Sequence, residues 1–237
     1  MAMNKRYLTD GEQRLLLMAA RGCSDVLAQR DHAWMRLLIE TGMRVNELAT
    51  LSQAQAIRAL ASGWLVLTKA QRKGGKQGHE YLVTEPVRQC LERLLKLHAD
   101  MRPALAHGWD GEPPLLWGRC SEWGADGDIA QVAVEHLSVR SLQARMAHWT
   151  QVAGLPPGVS PHWLRHTRGV NIIRRSRGKN PLKVAQQALG HVSIASTGIY
   201  TQMCREEYEQ ELHNVAGGRM RKAAARGSAG QGSGVAA

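Results

Sequence analysis

The spacing of apolar residues predicts a largely helical chain. Thr9 and Glu12 form the pattern of a capping box at the start of a first helix. Ser24-Asp25 is placed to cap a second helix, and Gly42 is placed to end that helix in the left-handed conformation. Three later helices are predicted. One begins at Pro86, one is capped by Ser138, and one includes His162.

Between residues 56 and 84 the apolar residues come in short runs that predict strands. The predicted strands are 56–60, 64–68 and 81–84. A glycine-containing basic turn, RKGGK, precedes the last of them, so it is expected at the tip of a β-hairpin.

A long loop and a tail complete the chain. The stretch 102–128 is rich in Gly, Pro and Trp, which predicts a surface loop with an apolar anchor at 115–117. The sequence contains no internal repeat and no second region of domain size. We therefore assign residues 1–218 to one domain and expect the basic, Gly- and Ala-rich segment 219–237 to be disordered.

Composition adds an electrostatic expectation. Lys and Arg number 31 against 20 Asp and Glu, which gives a net charge of +11 and a pI near 10.0. So basic a chain attracts polyanions, most commonly nucleic acid. The four cysteines form no CxxC pair, so neither a structural zinc site nor a disulfide scaffold is expected. Because no signal peptide or membrane-length apolar run is present, we expect a soluble cytoplasmic protein.

The candidate chemistry is concentrated between residues 162 and 200. His162 and Arg165 are three residues apart and share a helix face. His191 and Tyr200 follow, nine residues apart. Arginine and histidine can hold or polarise a phosphate, and a tyrosine hydroxyl is a nucleophile. HWLRH also places two histidines four residues apart, but it lacks the Glu of the zinc motif HExxH, so no metal is expected.

Two earlier segments supply further candidates. Arg44 lies just after Gly42, where a guanidinium at a helix start can offer two donors to one phosphate and Glu47 can orient it. The alternative is an ordinary surface ion pair. Lys73 and Lys76 lie in the basic turn, where an ammonium can donate a proton to a leaving alkoxide; a solvated basic turn is the alternative. KGGK lacks the first Gly and the Ser/Thr of a P-loop, so no nucleotide site is predicted.

Taken in order, TGMRVNEL, the basic hairpin, HWLRH, LGH and the following tyrosine resemble the signature of the tyrosine recombinases, the lambda-integrase-like family. The resemblance covers about Tyr7 to Glu211. It implies the family's catalytic domain only: an α+β, mainly helical fold, the DNA breaking–rejoining fold, with a small antiparallel sheet. It also implies that no metal or other cofactor takes part.

The resemblance implies a role for each candidate. Tyr200 would attack a DNA phosphodiester and form a 3′-phosphotyrosyl bond, which conserves the bond energy so that no ATP is needed. Arg44 and Arg165 would clamp the non-bridging oxygens and stabilise the pentacoordinate phosphorus. The free 5′-hydroxyl of a partner strand would then reverse the reaction and exchange strands.

The remaining roles concern protons. Lys73, as first choice, or Lys76 would protonate the 5′ oxygen that leaves. His162 would assist proton transfer from the tyrosine, and His191 would donate a hydrogen bond to the phosphate. Since the hairpin lacks the Arg that usually follows the lysine in relatives, the choice between the two lysines stays open.

The charge is densest beside this segment, so we expect salt-dependent phosphate contacts there. The candidate DNA-binding residues are Lys76, Arg168, Arg174, Arg175, Arg177 and Lys179. The partners implied are double-stranded DNA and a homo-tetramer on two DNA sites, with residues 206–215 docking on a neighbouring protomer. The setting implied is the cytoplasm, for a bacterial or phage-encoded, nucleoid-associated protein.

One departure from the family bears on how DNA is gripped. The N-terminal helical domain that closes a clamp around DNA in most relatives has no counterpart here, so we expect an accessory DNA-bending or clamp-supplying protein. Two other functions stay open. One is type IB topoisomerase-like relaxation of DNA, and the other is a non-catalytic DNA-binding regulator with the same fold.

Overall fold

Helices that end close to one another position the candidate residues. The structure, a computed structural model, describes residues 7–72, 74, 77–101, 112–123 and 129–191. All of them belong to one compact unit, Lys5–Tyr200. Lys73, Lys76 and Tyr200 lie outside the described residues, and so does the segment 219–237 for which disorder is predicted.

Eight helices and four strands make up the described part of the chain. In order they are α1 (Asp10–Arg21), α2 (Val26–Thr41), α3 (Val45–Ala49), α4 (Gln53–Ser62), β1 (Trp64–Leu67), β2 (His79–Leu82), α5 (Glu85–Met101), β3 (Trp117–Trp123), β4 (Ile129–His136), α6 (Val139–Val152), α7 (Pro161–Arg175) and α8 (Pro181–Leu189). β1 pairs with β2 and β3 with β4, both antiparallel, in two separate two-stranded sheets. The mainly helical α+β fold expected from the resemblance is confirmed.

The predicted helix caps of α1 and α2 are confirmed. The Thr9 N–H donates to Glu12 Oε2 at 2.7 Å, and the Glu12 N–H donates back to Thr9 Oγ1 at 3.3 Å. Asp25 accepts from the Ala28 N–H at 3.1 Å. Gly42 ends α2 with a φ of +69°, which favours glycine because any larger residue is strained there.

Helix α2 is the centre of the molecule. It packs against α1, α5 and α7 and buries Trp34, Leu37 and Leu38 completely. Leu164 of α7 and Leu91 of α5 belong to the same core. The carboxyl end of α2 is therefore fixed by packing on several sides, and the chain leaves it towards Arg44 from a rigid base.

A buried carboxylate joins α2 to α6. Asp31 Oδ1 accepts from Arg30 Nη2 at 2.7 Å and from Trp34 Nε1 at 3.0 Å. Its Oδ2 accepts from Arg145 Nε at 2.5 Å and from Trp149 Nε1 at 2.9 Å. The charge is fully buried but paired and hydrogen-bonded on both oxygens, which is the condition under which a buried carboxylate is tolerated.

The strand predicted at 56–60 is wrong, because these residues lie in α4. Ser52 caps that helix by accepting from the Gln55 N–H at 3.1 Å, and Gln55 completes a capping box. Ala56 and Ala59, three residues apart, are the buried positions. Alanine favours helix, and a short apolar run does not by itself distinguish helix from strand.

The loop predicted over 102–128 is also wrong in part. Residues 117–123 form β3, which pairs with β4 through the register Trp117↔His136. The alternation of Val132 and Val134 indicates that β4 is a strand. Its partner β3 is rich in Gly and Trp, a composition that locally resembles a loop. Leu115 and Leu116 are fully buried, as expected for the predicted anchor.

The remaining helices and the hairpin agree with the predictions. Helix α5 begins one residue before Pro86, Ser138 caps α6, and His162 lies in the first turn of α7. β1 and β2 form the predicted hairpin. Over the residues described, no helix is long and apolar enough to cross a membrane, and no group of three or more His, Cys, Asp or Glu side chains could hold a metal ion.

Candidate active site

Arg44 is the N-cap residue of α3, two residues after Gly42, the C-cap residue of α2. Its N–H donates to Glu47 Oε2 at 2.7 Å, and its Nη1 donates to Glu47 Oε1 at 2.9 Å. The Arg44 side chain is 33% exposed, whereas that of Glu47 is 1% exposed. The predicted orienting role of Glu47 is therefore seen in the structure: a buried carboxylate holds a guanidinium that still reaches the surface.

The Glu47 carboxylate also binds the hairpin. Tyr81 Oη donates to Glu47 Oε2 at 2.9 Å, and Arg72 Nε lies 3.4 Å from Glu47 Oε1. Burial tends to raise the pKa of Glu47, but hydrogen bonds from the Arg44 backbone, the Tyr81 hydroxyl and the Arg44 guanidinium lower it below its usual value. Glu47 is therefore ionised at neutral pH and neutralises part of the positive charge around it.

Arg165 connects the three segments of the site. Its Nη1 donates to the Gly42 carbonyl oxygen at 2.5 Å, and its Nη2 donates to the Leu189 carbonyl oxygen at 2.7 Å. Its exposed fraction is only 2%. One guanidinium on α7 thus holds the backbone just before Arg44 and the backbone just before His191.

His162 lies one turn of α7 from His166, with ring centroids 4.4 Å apart in an edge-to-face arrangement. His162 is exposed and His166 is half-buried, while Arg165 between them is buried. His162 and Arg165 thus lie three residues apart on one helix, as the sequence predicts, with an accessible imidazole about one turn from the buried arginine.

His191 follows the C-cap residue of α8, Gly190, whose φ is +61°. Its N–H donates to the Gln186 carbonyl oxygen at 3.0 Å. Burial, followed by the charges of Arg165 and Arg44 and the two histidines of α7, lowers the pKa of His191 to about 4. His191 is therefore neutral at pH 7, and the other described catalytic candidates, Arg44, His162 and Arg165, lie within electrostatic reach of it.

Three candidates cannot be located in this cluster. Lys73, Lys76 and Tyr200 lie outside the described residues. The structure brings together Arg44, His162, Arg165 and His191, and the roles of all seven candidates stay predictions.

Arg168 lies beside the site and is partly buried. It pairs with Glu40 at 3.6 Å, and its Cβ and Cγ pack against the Gly42 position. Burial lowers its pKa, although the Glu40 charge opposes this. Its charge is therefore partly compensated within the protein.

The other described basic candidates lie at and beyond the carboxyl end of α7. Arg174 stacks on the Tyr7 ring, 5.3 Å from its centroid, and Arg175 pairs with Asp10 at 2.6 Å. The exposed members of this group are Arg174, Arg175, Arg177 and Lys179. They form an exposed basic group at and beyond the last turn of α7, where phosphate contacts are expected.

Sequence reasoning missed three residues of the hairpin. Arg72, His79 and Tyr81 all bind groups in the site cluster. The buried position of Tyr81 follows from the alternation along β2, and that is the one signal the sequence holds. Arg72 and His79 bind backbone carbonyls more than 100 residues further along the chain, which no local pattern indicates.

The sequence of the chain is similar to those of known proteins. Residues 6–207 match the phage integrase family. Tyrosine recombinase XerC 1 of Ralstonia nicotianae is 31% identical over 198 residues, which cover 81% of this chain and 55% of that protein. Tyrosine recombinase XerD of Pseudomonas aeruginosa is 30% identical over 197 residues, which cover 83% of this chain and 57% of that protein. The chain spans about half the length of the curated relatives it matches.

Solved structures show the same fold. The crystal structure of XerA recombinase has a TM-score of 0.60 and 22% identity, with 88% of this chain and 63% of that chain covered. XerH bound to a palindromic difH substrate, in a post-cleavage complex, has a TM-score of 0.61 and 22% identity, with 89% and 53% covered.

The arrangement of the helices, the β1–β2 hairpin and the segments that carry Arg44 and Arg165 is that of a tyrosine recombinase catalytic domain. The chain belongs to the phage integrase family.

Proposed function

We propose that this chain breaks and rejoins DNA as the catalytic part of a site-specific recombinase of the integrase, invertase or resolvase type. The observation that carries the proposal is the position of Arg165. Its two hydrogen bonds hold the backbone before Arg44 and the backbone before His191, so three distant segments that carry phosphate-binding side chains form one cluster. A phosphodiester is the ligand for which two guanidinium groups and imidazole donors are suited.

The proposed nucleophile is Tyr200. Its oxygen attacks the phosphorus, its proton passes to His162, and the bond between phosphorus and the 5′ oxygen breaks. Arg44 and Arg165 stabilise the charge that develops on the non-bridging oxygens. A phosphodiester is exchanged for a phosphotyrosyl diester, so the step needs no ATP. Attack by the 5′-hydroxyl of another strand reverses it.

Two further groups complete the proposal. His191 is neutral at pH 7 and keeps one ring N–H with which it can donate to a non-bridging oxygen. The leaving 5′ oxygen takes its proton from the ammonium group of Lys73 or of Lys76. No cofactor takes part in this scheme.

DNA binding is proposed for the basic residues Lys76, Arg168, Arg174, Arg175, Arg177 and Lys179. We expect four protomers on two DNA sites, with a docking role for residues 206–215 and an accessory protein that helps to grip or bend the DNA. The setting is the nucleoid in the cytoplasm of a bacterium. The crystal structure of a lambda integrase tetramer bound to a Holliday junction, with a TM-score of 0.50 to this chain, supports the tetramer.

A plasmid assay tests this function. Supercoiled plasmids carry no copy, one copy or two copies of the DNA that flanks the gene for this chain, and the products are separated on gels. The proposal predicts recombinant circles from the two-copy plasmid alone, and none with Tyr200→Phe. If the plasmid with no copy of the flanking DNA were relaxed as fast as the plasmids with one or two copies, the chain would be a topoisomerase instead. Tight binding with all three plasmids unchanged would show a regulator.

A further inference from the structure

The β1–β2 hairpin is joined to the carboxyl end of α8 by two side chains. His79 Nε2 lies 3.2 Å from the Ala188 carbonyl oxygen, a contact that requires the ring hydrogen on Nε2. Arg72 Nη2 donates to the Gly190 carbonyl oxygen at 3.1 Å. The carbonyl between these two accepts from Arg165. The last carbonyls of a helix have no partner within it, so three consecutive ones are available here, and side chains from the hairpin and α7 bind them all.

Arg72 also binds its own hairpin and Glu47, the residue that holds Arg44. Its Nη1 lies 3.2 Å from the Gly78 carbonyl oxygen and 3.4 Å from that of Gln77. Its Nε lies 3.4 Å from Glu47 Oε1, the atom that also binds Arg44. The side chain is only 13% exposed. A planar guanidinium can serve several acceptors in fixed directions, which an ammonium group cannot.

The contact at Gly190 leaves no room for a side chain. A Cβ placed there would lie 2.8 Å from Arg72 Nη2 and 3.0 Å from the His79 ring. The glycine therefore does more than end α8 with a positive φ. It allows the hairpin to approach the backbone that carries His191.

We propose that Arg72 and His79 are positioning residues for the lysine that protonates the leaving oxygen. Lys73 follows Arg72 directly, and Lys76 lies two residues before Gly78, so Arg72 fixes both ends of the short segment that carries them. Fixed ends limit the volume that a short segment can reach. The contacts of Arg72 and His79 with Glu47, Ala188 and Gly190 hold the described ends of that segment next to the residue that binds Arg44 and the backbone that precedes His191. This assignment rests on the function proposed above.

The chemistry of the leaving group distinguishes a misplaced lysine from a general loss of activity, such as a defect in phosphate binding. When the phosphorus–oxygen bond breaks, the leaving alkoxide needs a proton. With sulfur in place of that 5′ bridging oxygen, a thiolate leaves. A thiol has a pKa of about 8.5, against about 16 for a water-like hydroxyl, so the thiolate needs no proton donor. A defect caused by a misplaced lysine is therefore rescued by the sulfur substrate, whereas a defect in phosphate binding is not.

The test measures single-turnover formation of the covalent protein–DNA adduct on nicked substrates with oxygen or sulfur at the bridging position. General acid catalysis contributes about 10²–10⁴-fold, so Arg72→Ala and Arg72→Lys are expected to slow the reaction of the oxygen substrate by at least about 10²-fold. On the sulfur substrate both variants should react within about 10-fold of the wild-type rate. His79→Ala should show the same pattern. Arg44→Ala should be slow on both substrates.

Arg58→Ala is the matched control, because Arg58 is an exposed arginine of α4 whose ion pair with Glu112 spans 3.7 Å. It should match the wild type on both substrates. An Arg72→Ala variant that is equally slow on both substrates, or as fast as wild type on both, would overturn the assignment.

Hydrogen exchange tests the assignment without activity. In the full-length chain, Arg72→Ala should speed amide exchange at 77–82 and 188–191 and leave α5 unchanged, while Arg58→Ala should change neither segment. Unchanged exchange at both segments would overturn the assignment. A wild-type chain that forms no adduct on either substrate would contradict the proposed function itself, whereas normal wild-type adduct formation with unchanged exchange in Arg72→Ala would overturn only the assignment.

Discussion

Arg165 donates a hydrogen bond to the carbonyl oxygen of Gly42 over 2.5 Å, although the two residues are 123 positions apart. Gly42 ends α2, and Arg44 follows two residues later, so one arginine of the site is bound to the backbone that carries the other. The same guanidinium holds the Leu189 carbonyl oxygen. The geometry of the site therefore depends on how closely α7 and α8 approach the end of α2.

The first prediction concerns Gly42. A Cβ at this position would lie 2.5 Å from Leu189 Cδ2 and 3.0 Å from Arg168 Cγ. We expect Gly42→Ala to cost about 1–2 kcal/mol for its positive φ. Overpacking against Leu189 should add about 1–3 kcal/mol. Urea unfolding measures the loss of stability, and adduct formation should slow because Leu189 carries a carbonyl that binds Arg165.

Gly63 supplies the control for this prediction. It ends α4 with a φ of +79°, yet nothing lies within 4 Å of a Cβ built there. Gly63→Ala should therefore show only the conformational cost of about 1–2 kcal/mol. Equal losses in the two alanine variants would contradict the close approach described at Gly42.

The second prediction concerns the buried Asp31. Asp31→Asn leaves Arg30 and Arg145 without their carboxylate and places an amide N–H₂ group among donors. We expect the free energy of unfolding to fall by about 3–5 kcal/mol, as it does when one partner of a buried ion pair is removed. Urea unfolding followed by far-UV circular dichroism measures it.

Glu112→Gln is the control for Asp31, because it removes an exposed partner of Arg58. Exposed pairs contribute about 0–1 kcal/mol, so this variant should be close to wild type. If Asp31→Asn cost no more than Glu112→Gln, the hydrogen bonds that join α2 to α6 would not be a source of stability.

The third prediction concerns pH. His191 has a pKa of about 4 in the free protein, so it is neutral at pH 7. A bound phosphate favours the protonated ring and raises that pKa. Between the free and bound values the complex binds a proton that the free protein lacks, so affinity for DNA should rise as pH falls from 7 towards 5.

Fluorescence anisotropy at constant ionic strength measures this effect, because phosphate contacts also depend on salt. His191→Gln keeps a hydrogen-bond donor but cannot titrate, so its affinity should change less with pH than that of the wild type. The same pH slope in both proteins would show that His191 does not meet the phosphate.

Local features of the structure could be predicted from the sequence, whereas the long-range ones could not. The caps at Thr9, Asp25 and Gly42 and the Arg44–Glu47 pair involve residues at most a few positions apart, and each has a local pattern. The run at 56–60 was assigned to the wrong element because a short apolar run fits a buried helix as well as a strand. Strand β3 could not be predicted, because its partner strand β4 lies beyond a turn-rich stretch.

The site shows the same division. The motifs gave Arg44, His162, Arg165 and His191, which the structure brings together. They did not give the acceptors of Arg165, nor the contacts of Arg72 and His79, because these are backbone carbonyls of other elements and carry no residue identity. Buried arginines that bind carbonyls are set by tertiary packing, and only the folded chain reveals them.

The most direct test of the central proposal is covalent trapping at Tyr200. The wild-type protein is incubated with nicked duplexes from its own flanking DNA, denatured in detergent, and examined for a protease-sensitive protein–DNA adduct joined through a 3′ phosphate. The proposal predicts an adduct with the wild type and none with Tyr200→Phe, which should bind the same DNA with similar, salt-dependent affinity. No adduct on any fragment despite tight binding, or an equal adduct with Tyr200→Phe, would contradict it.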